Sequence, residues 1–189
     1  MNTVHAADSD RLDLEQAQLL VVDLQERLLP HIHEHQRVLT QAGRMIRAAR
    51  VLHLPITVSE QYPNGLGRTA PAILAAAEDA VRLEKTTFSF CADDACRARL
   101  SAVGRPQVLL VGIETHVCVQ QTALDLLEMQ MRPYVLADAV GSRRPLDYEV
   151  ALDYMRHAAV TVTTVEAAIF KLVRAAGTEL FKCILPIVR

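Results

Sequence analysis

Short aliphatic runs alternate along this chain with longer stretches in which apolar residues recur every three or four positions. The uninterrupted runs are typical of strands covered by helices on both faces, and the three-to-four spacing is typical of amphipathic helices. Strands are predicted at 17–23, 54–60, 80–85, 107–112, 132–138 and 159–164. Helices are predicted at 36–53, 69–77, 93–102, 117–130, 146–158 and 165–176. This alternation predicts an α/β fold with a six-stranded, mostly parallel sheet.

The length of 189 residues suits one domain, which we place at residues 16–189. Residues 1–15 are polar and acidic and are predicted to form a loose N-terminal arm. The last predicted helix is expected to end at Gly177, since glycine favours the residue after a helix C-terminus. The apolar segment 181–188 is too hydrophobic for a free tail, so we expect it to pack on the domain or on a neighbouring subunit.

Charge and hydropathy exclude several classes of protein. The net charge is −2 with mixed signs, so the chain offers no basic surface for nucleic acid. Its apolar runs are too short to span a membrane. The first fifteen residues lack the apolar segment of a secretory signal peptide, so secretion is not expected. The four cysteines, Cys91, Cys96, Cys118 and Cys183, lack the paired spacing of a zinc site or a disulfide framework. We therefore expect a cytoplasmic protein with reduced thiols.

Three reactive side chains fall at the ends of predicted strands. Asp23 ends the first strand, Lys85 ends the third, and Cys118 follows the fourth at the start of a helix. In open α/β sheets, ligands bind beyond the carboxyl ends of the strands, so this edge is where a site is expected.

A thiol at a helix N-terminus beside a lysine is expected to favour the thiolate. An aspartate there could carry a proton between the thiol and a leaving nitrogen. Backbone N–H groups between Glu114 and Cys118 could bind an oxyanion. Taken singly, each residue also has an ordinary interpretation: Cys118 as apolar core, Asp23 as a turn cap, and Lys85 as a surface residue.

Three motifs carry a resemblance to a known family. VVDLQERLLP (21–30), EKTTFSF (84–90) and VGIETHVCVQQTALDL (111–126) together resemble the isochorismatase-like cysteine hydrolases, a superfamily that includes nicotinamidases. The resemblance implies a three-layer, Rossmann-like fold with an Asp23–Lys85–Cys118 triad. It also implies a cis peptide bond between Ile113 and Glu114, which would turn the N–H groups of Glu114 and Cys118 toward the oxyanion.

The chain departs from the nicotinamidase pattern in its second-strand loop. Residues 58–71 contain no histidine, so no metal and no other cofactor are expected. An aromatic residue usual in the family is replaced by Leu28. Side chains that could line a substrate pocket, or simply pack beneath the loop, are Leu28, Tyr62, Phe88, Phe90, Thr115 and His116.

These observations predict a cysteine-dependent hydrolase that cleaves a small amide, or a related C–N bond, through a thioester. Its partners are expected to be a small-molecule substrate and further copies of itself, because members of the resembled family commonly form oligomers. Two alternatives stay open. One is an oligomeric binding protein that retains the hydrolase fold, and the other is an enzyme that uses its thiol for redox or transfer chemistry.

Overall fold

The computed structural model describes residues 11–189, which form six strands and eight α-helices. The strands are β1 (Ala17–Val22), β2 (Ile56–Gln61), β3 (Val81–Lys85), β4 (Gln107–Ile113), β5 (Arg132–Gly141) and β6 (Thr161–Thr163). The helices are α1 (His35–Val51), α2 (Pro63–Leu66), α3 (Pro71–Ala76), α4 (Asp94–Val103), α5 (Gln120–Glu128), α6 (Pro145–His157), α7 (Val165–Val173) and α8 (Glu179–Val188). The six predicted strands are confirmed.

All neighbouring strands pair in parallel, in the order β3-β2-β1-β4-β5-β6. Alternation along β1 divides the core into two layers: Leu19 and Val21 face one cluster, whereas Leu20 and Val22 face the other. Helices α1, α3, α7 and α8 cover the first face, and α4, α5 and α6 cover the second. The predicted three-layer α/β fold is confirmed, and its aliphatic strands are explained by burial on both sides.

The C-terminal segment differs from the prediction in its helix boundary. Helix α7 ends at Val173, and Gly177, at φ +80°, lies in the turn before α8 instead of capping α7. Thr178 caps α8 by accepting a hydrogen bond from the N–H of Phe181. Ile184 of α8 is fully buried, so the apolar segment packs on its own domain. None of the helices in residues 11–189 has both the length and the apolar content to cross a bilayer.

The predicted loose arm falls mainly on residues outside those described. Where it is described, the chain packs on the domain. Leu12 is buried in the core. The backbone N–H of Asp13 donates to Gln107 Oε1 at 2.8 Å, and the Asp13 carboxylate lies 2.7 Å from Arg174 Nη2. The prediction is therefore wrong for residues 11–15, because a buried leucine and these polar contacts hold them.

Strands β1 and β4 approach each other closely where they end. Gly112 pairs with Val22 and takes a φ of +144°. A Cβ atom at Gly112 would lie 2.1 Å from the Val22 carbonyl oxygen. This distance is too short for a residue with a side chain. Glycine thus lets the two strand ends meet, and it brings the turn that carries Cys118 next to Asp23.

Candidate active site

A buried ion pair joins the ends of the first and third strands. Lys85 Nζ lies 2.8 Å from Asp23 Oδ2, and both side chains are fully excluded from solvent. Strand β2 separates β1 from β3, so the lysine side chain extends past one strand to reach the carboxylate. Two buried charges are stable only when they are paired and hydrogen-bonded. The side chains of Asp23 and Lys85 must therefore stay in contact in the folded protein.

Further hydrogen bonds complete the pair. Lys85 Nζ donates to Gln61 Oε1 at 2.7 Å and to the carbonyl oxygens of Thr87 and Phe88 at 3.2 and 3.1 Å. Ser59 Oγ donates to Asp23 Oδ1 at 2.6 Å. The Lys85 ammonium group is therefore surrounded by hydrogen-bond acceptors.

Sequence reasoning missed Ser59 and Gln61 as partners of the ion pair. Their spacing on β2 is the signal that could have found them, because residues two apart on a strand face the same side. Glu60, between them, faces the other side, where Oε1 accepts from Thr69 and Oε2 accepts from Arg68.

Cys118 lies in a single π-helical turn, Thr115–Val119, which leads directly into α5. The residue is 4 % exposed. Glu114, just before the turn, adopts the left-handed conformation with φ 57° and ψ 58°. The predicted cis bond between Ile113 and Glu114 is wrong: this bond is trans, and the chain changes direction through the left-handed Glu114 instead.

The pKa of the Cys118 thiol is raised above its ordinary value. Burial is the largest cause, followed by the negative charge of Asp23, whose carboxylate also hydrogen-bonds to the thiol. Lys85 acts in the opposite direction but does not outweigh them. Burial and the Asp23 carboxylate thus oppose the thiolate that was expected at Cys118, whereas Lys85 favours it.

The remaining cysteines do not compete as nucleophiles in this site. Burial raises the pKa of Cys91 and of Cys96 to about 12. Both belong to the core layer under α4 and α5. Cys183 is exposed on α8. Cys96 also lies near Asp93, Lys85 and Asp23, but it is fully buried in that layer.

A second polar cluster surrounds the carboxylate of Glu114, which is 6 % exposed. Its Oε1 lies 2.8 Å from Arg143 Nε. Its Oε2 lies 3.5 Å from His116 Nδ1 and accepts no hydrogen bond from residues 11–189. His116 Nδ1 is also 3.0 Å from Ser142 Oγ. The cluster connects the turn after β4 to the loop after β5.

The six predicted pocket residues separate into three groups. Tyr62 and Phe88 are each 55 % exposed, and His116 is partly exposed. Leu28 is partly buried and packs against the first core cluster. Phe90 and Thr115 are fully buried. Phe90 belongs to the second core cluster, which also contains Cys118.

The residues of the second-strand loop do not suit a metal ion. Ser59 and Gln61 use their oxygen atoms on Asp23 and Lys85, and both oxygens of Glu60 are occupied. Within residues 11–189, no group of three or more His, Cys, Asp or Glu side chains is arranged to hold a metal.

A cavity of about 320 Å³ lies at the end of β3, where Lys85 is one of its lining residues. A larger cavity, of about 500 Å³, lies at the opposite edge of the sheet, where Pro55 and Ile56 begin β2. The smaller cavity is lined by Tyr62, Pro63, Asn64, Glu84, Lys85, Thr86 and Asp93.

Comparison with known proteins identifies the family of this chain. The model of the isochorismatase domain matches residues 17–167. Isochorismatase domain-containing protein 2 of Danio rerio is 38 % identical over 173 residues, covering 91 % of this chain and 86 % of the relative. The chain belongs to the isochorismatase family, whose hydrolase fold supports a hydrolase function in general.

Solved structures share the whole architecture. A structure described as the MAR1 ribonuclease of Caenorhabditis elegans has a TM-score of 0.89 at 39 % identity, covering 94 % of this chain and 92 % of that one. YcaC of Pseudomonas aeruginosa, solved with covalent acrylamide, has a TM-score of 0.88 at 23 % identity and covers 94 % and 91 %. YcaC of Escherichia coli, described as an octameric hydrolase of unknown specificity, has a TM-score of 0.87 at 24 % identity and covers 94 % and 92 %. At these identities the two YcaC structures support the fold alone.

Proposed function

We propose that the protein is a cysteine-dependent hydrolase of a small amide, or of a related C–N bond at a carbonyl carbon. The observation that carries this proposal is the buried Asp23–Lys85 ion pair beside the Cys118 thiol. A fully desolvated carboxylate and ammonium contribute little net stability compared with apolar packing, so their presence next to a thiol favours a chemical role.

In the first half of the reaction, Cys118 Sγ attacks the carbonyl carbon while its proton passes to Asp23. The tetrahedral intermediate then collapses: the C–N bond breaks, Asp23 returns the proton to the leaving nitrogen, and a thioester remains. In the second half, Asp23 takes a proton from water, whose oxygen attacks the thioester. The C–S bond breaks, Asp23 returns the proton to Sγ, and the products are a carboxylic acid, an amine and the free thiol.

Lys85 is proposed to hold Asp23 in place and to offset the negative charge that develops in the site. The oxyanion is proposed to bind the backbone N–H groups of Glu114 and Cys118. The left-handed Glu114 followed by helical residues supports this role, because such a sequence of conformations points successive N–H groups in one direction. Tyr62, Phe88 and His116 are proposed to contact the substrate, with Leu28 and Thr115 behind them.

The direct test is ammonia release from a panel of small primary amides by the wild-type protein and by Cys118→Ala. The exposed Cys183→Ala variant is the matched control, since it removes a thiol without touching the site. We expect turnover by the wild type and by Cys183→Ala, and none by Cys118→Ala. Trapping an acyl group on Cys118 by mass spectrometry would identify the thioester. Equal turnover by Cys118→Ala would overturn the proposal.

A ribonuclease is the second candidate, favoured by the description of the 39 % identical C. elegans structure. Cleavage of RNA by its own 2′-hydroxyl needs a base and an acid but no thiol. A ribonuclease should therefore keep its activity in Cys118→Ala and lose it in Asp23→Asn, whereas the amide hydrolase loses activity in both. Cleavage of a labelled RNA by these two variants separates the candidates.

We also propose that the protein forms a homo-oligomer. Leu146, Val150 and Tyr154 lie four residues apart on α6 and are 69, 59 and 54 % exposed, which places an apolar row on one helix face. A second copy of the chain is the proposed partner of this row. Light scattering at micromolar concentration should show a dimer or larger assembly, and a clean monomer would contradict it.

A further inference from the structure

The turn that carries Cys118 begins at a residue with an unusual backbone. Glu114 is left-handed, and its carbonyl oxygen accepts hydrogen bonds from the N–H groups of Val117 and Val119 at 2.9 and 3.3 Å. Glutamate lacks both the freedom of glycine and the short polar side chain of asparagine, so its own backbone does not favour this conformation. Contacts made elsewhere in the fold must therefore hold Glu114 left-handed.

The side chain of Glu114 provides such a contact. Its carboxylate is buried and forms an ion pair with Arg143, with 2.8 Å between Oε1 and Nε. Within residues 11–189 the other oxygen accepts no hydrogen bond, and the only further cation near it is His116, when that ring is protonated. Leaving a buried carboxylate unpaired is unfavourable, so the ion pair with Arg143 fixes the position of this side chain.

The loop after β5 holds Arg143 in turn. Gly141 ends β5 beside the last residue of β4, and a Cβ there would lie 2.8 Å from a side-chain carbon of α1. The next residue, Ser142, is buried, and its carbonyl oxygen accepts a hydrogen bond from the N–H of His33 at 3.0 Å. Arg143 therefore extends from a loop that is fixed on the domain. Its contact with Glu114 joins the end of β5 to the turn after β4.

We propose that Arg143 is a positioning residue: through the Glu114 carboxylate it holds Glu114 left-handed and so directs the N–H groups that bind the oxyanion. The inference rests on the proposed function in that it takes the N–H groups of Glu114 and Cys118 as the oxyanion site. It goes further by assigning the buried carboxylate and its arginine a role in the reaction. Neither side chain needs to touch the substrate for this role.

The test uses propanal, a small aldehyde whose addition to a thiol requires no hydrolysis. Its carbonyl carbon forms a bond to Cys118 Sγ, the C=O double bond becomes a single bond, and the thiol proton ends on the carbonyl oxygen. This oxygen occupies the position proposed for the oxyanion, so the affinity for propanal reports on the N–H groups. The affinity is measured as the propanal concentration that halves the rate at which iodoacetamide labels Cys118, followed by peptide mass spectrometry. The exposed Cys183 in the same sample gives the affinity of an ordinary thiol.

Two variants of Glu114 separate its backbone conformation from its charge. Glu114→Ala and Glu114→Gly both remove the carboxylate, which contributes to the raised pKa of Cys118, so the thiol loses the same neighbouring charge in each. Of the two, only glycine adopts the left-handed conformation without a side-chain contact. We expect propanal to bind Glu114→Ala about tenfold more weakly than Glu114→Gly, whose affinity should stay within about threefold of the wild type.

Arg143→Ala should also weaken propanal binding about tenfold, because the Glu114 side chain is no longer held. Added to Glu114→Gly, it should cause no further loss, since Arg143 acts only through the Glu114 carboxylate. The matched control is Arg144→Ala. Arg144 is the neighbouring exposed arginine and forms no ion pair within residues 11–189, so its loss should leave the affinity unchanged. Urea unfolding of each variant gives the folded fraction, to which every affinity is referred.

Equal affinities in Glu114→Ala and Glu114→Gly would overturn the inference, and so would an unchanged affinity in Arg143→Ala. A further loss in the double variant would do the same, because Arg143 would then contact the adduct directly. So would a wild-type affinity at Cys118 no higher than at Cys183. If Arg143→Ala does not fold, the two Glu114 variants decide the inference without it. A protein that shows the expected affinities but releases no ammonia from amides would contradict the proposed function and leave the positioning role standing.

Discussion

Replacing Lys85 with methionine should destabilise the protein strongly, because it leaves Asp23 charged and buried. Methionine keeps the apolar stem of lysine, so the main change is the loss of the ammonium group. Asp23 is fully excluded from solvent and would keep only the hydrogen bonds from Ser59 and from the Cys118 thiol among its present side-chain donors. Breaking a buried pair by removing one partner costs about 3–5 kcal/mol. For a domain of this size, that loss corresponds to a fall in Tm of roughly 10 °C.

The companion variant is Lys85→Met combined with Asp23→Asn, which removes both charges. It should recover at least about 2 kcal/mol relative to Lys85→Met, because no unpaired charge remains buried. Urea unfolding followed by circular dichroism measures both values. The control is Lys182→Met, which breaks the exposed ion pair with Glu179 on α8 and should cost less than about 1 kcal/mol. A Lys85→Met protein that loses no more stability than this control would refute the buried-pair argument.

Three further predictions follow from the same geometry. Gly112→Ala should give little folded protein or slow the proposed amide turnover by at least about 100-fold, because a Cβ would lie 2.1 Å from the Val22 carbonyl oxygen. Circular dichroism measures the folded fraction, and ammonia release measures the turnover. The free energy of unfolding should fall as the pH rises above about 9. Burial raises the pKa of Cys91, Cys96 and Cys118 in the folded state. The unfolded chain therefore loses these thiol protons at a lower pH than the folded protein does, which favours unfolding. Urea titrations from pH 7 to 10 check this sign, and constant stability would contradict it. Iodoacetamide at pH 7.5 should label the exposed Cys183 before Cys118, and the opposite order by mass spectrometry would show that Cys118 is activated in the free protein.

The fold was predictable because hydrophobic pattern and chain length restrict an α/β protein to few arrangements. The inner strands β1 and β4 are largely apolar on both faces in the sequence, and the helices between the strands have one apolar face. The positions of Asp23, Lys85 and Cys118 also followed from the sequence, since parallel strands end at one edge and reactive residues were found at three of those ends. Their roles in catalysis stay proposals.

Other features depended on neighbours that are distant in the chain. The raised pKa of Cys118 comes first from burial and then from Asp23, which lies 95 residues earlier in the chain. Neither cause can be read from the residues around Cys118 in the sequence. Phe90 fills the core and Tyr62 borders the cavity, although both are aromatic residues near strand ends.

A sequence therefore determines which local structures and reactive groups this protein has, because backbone preference and side-chain periodicity are local properties. Tertiary structure decides how acidic, exposed or charged those groups are. Desolvation and Coulomb interactions depend on distances through space, and these are set only when β3, β2, β1 and β4 are assembled side by side.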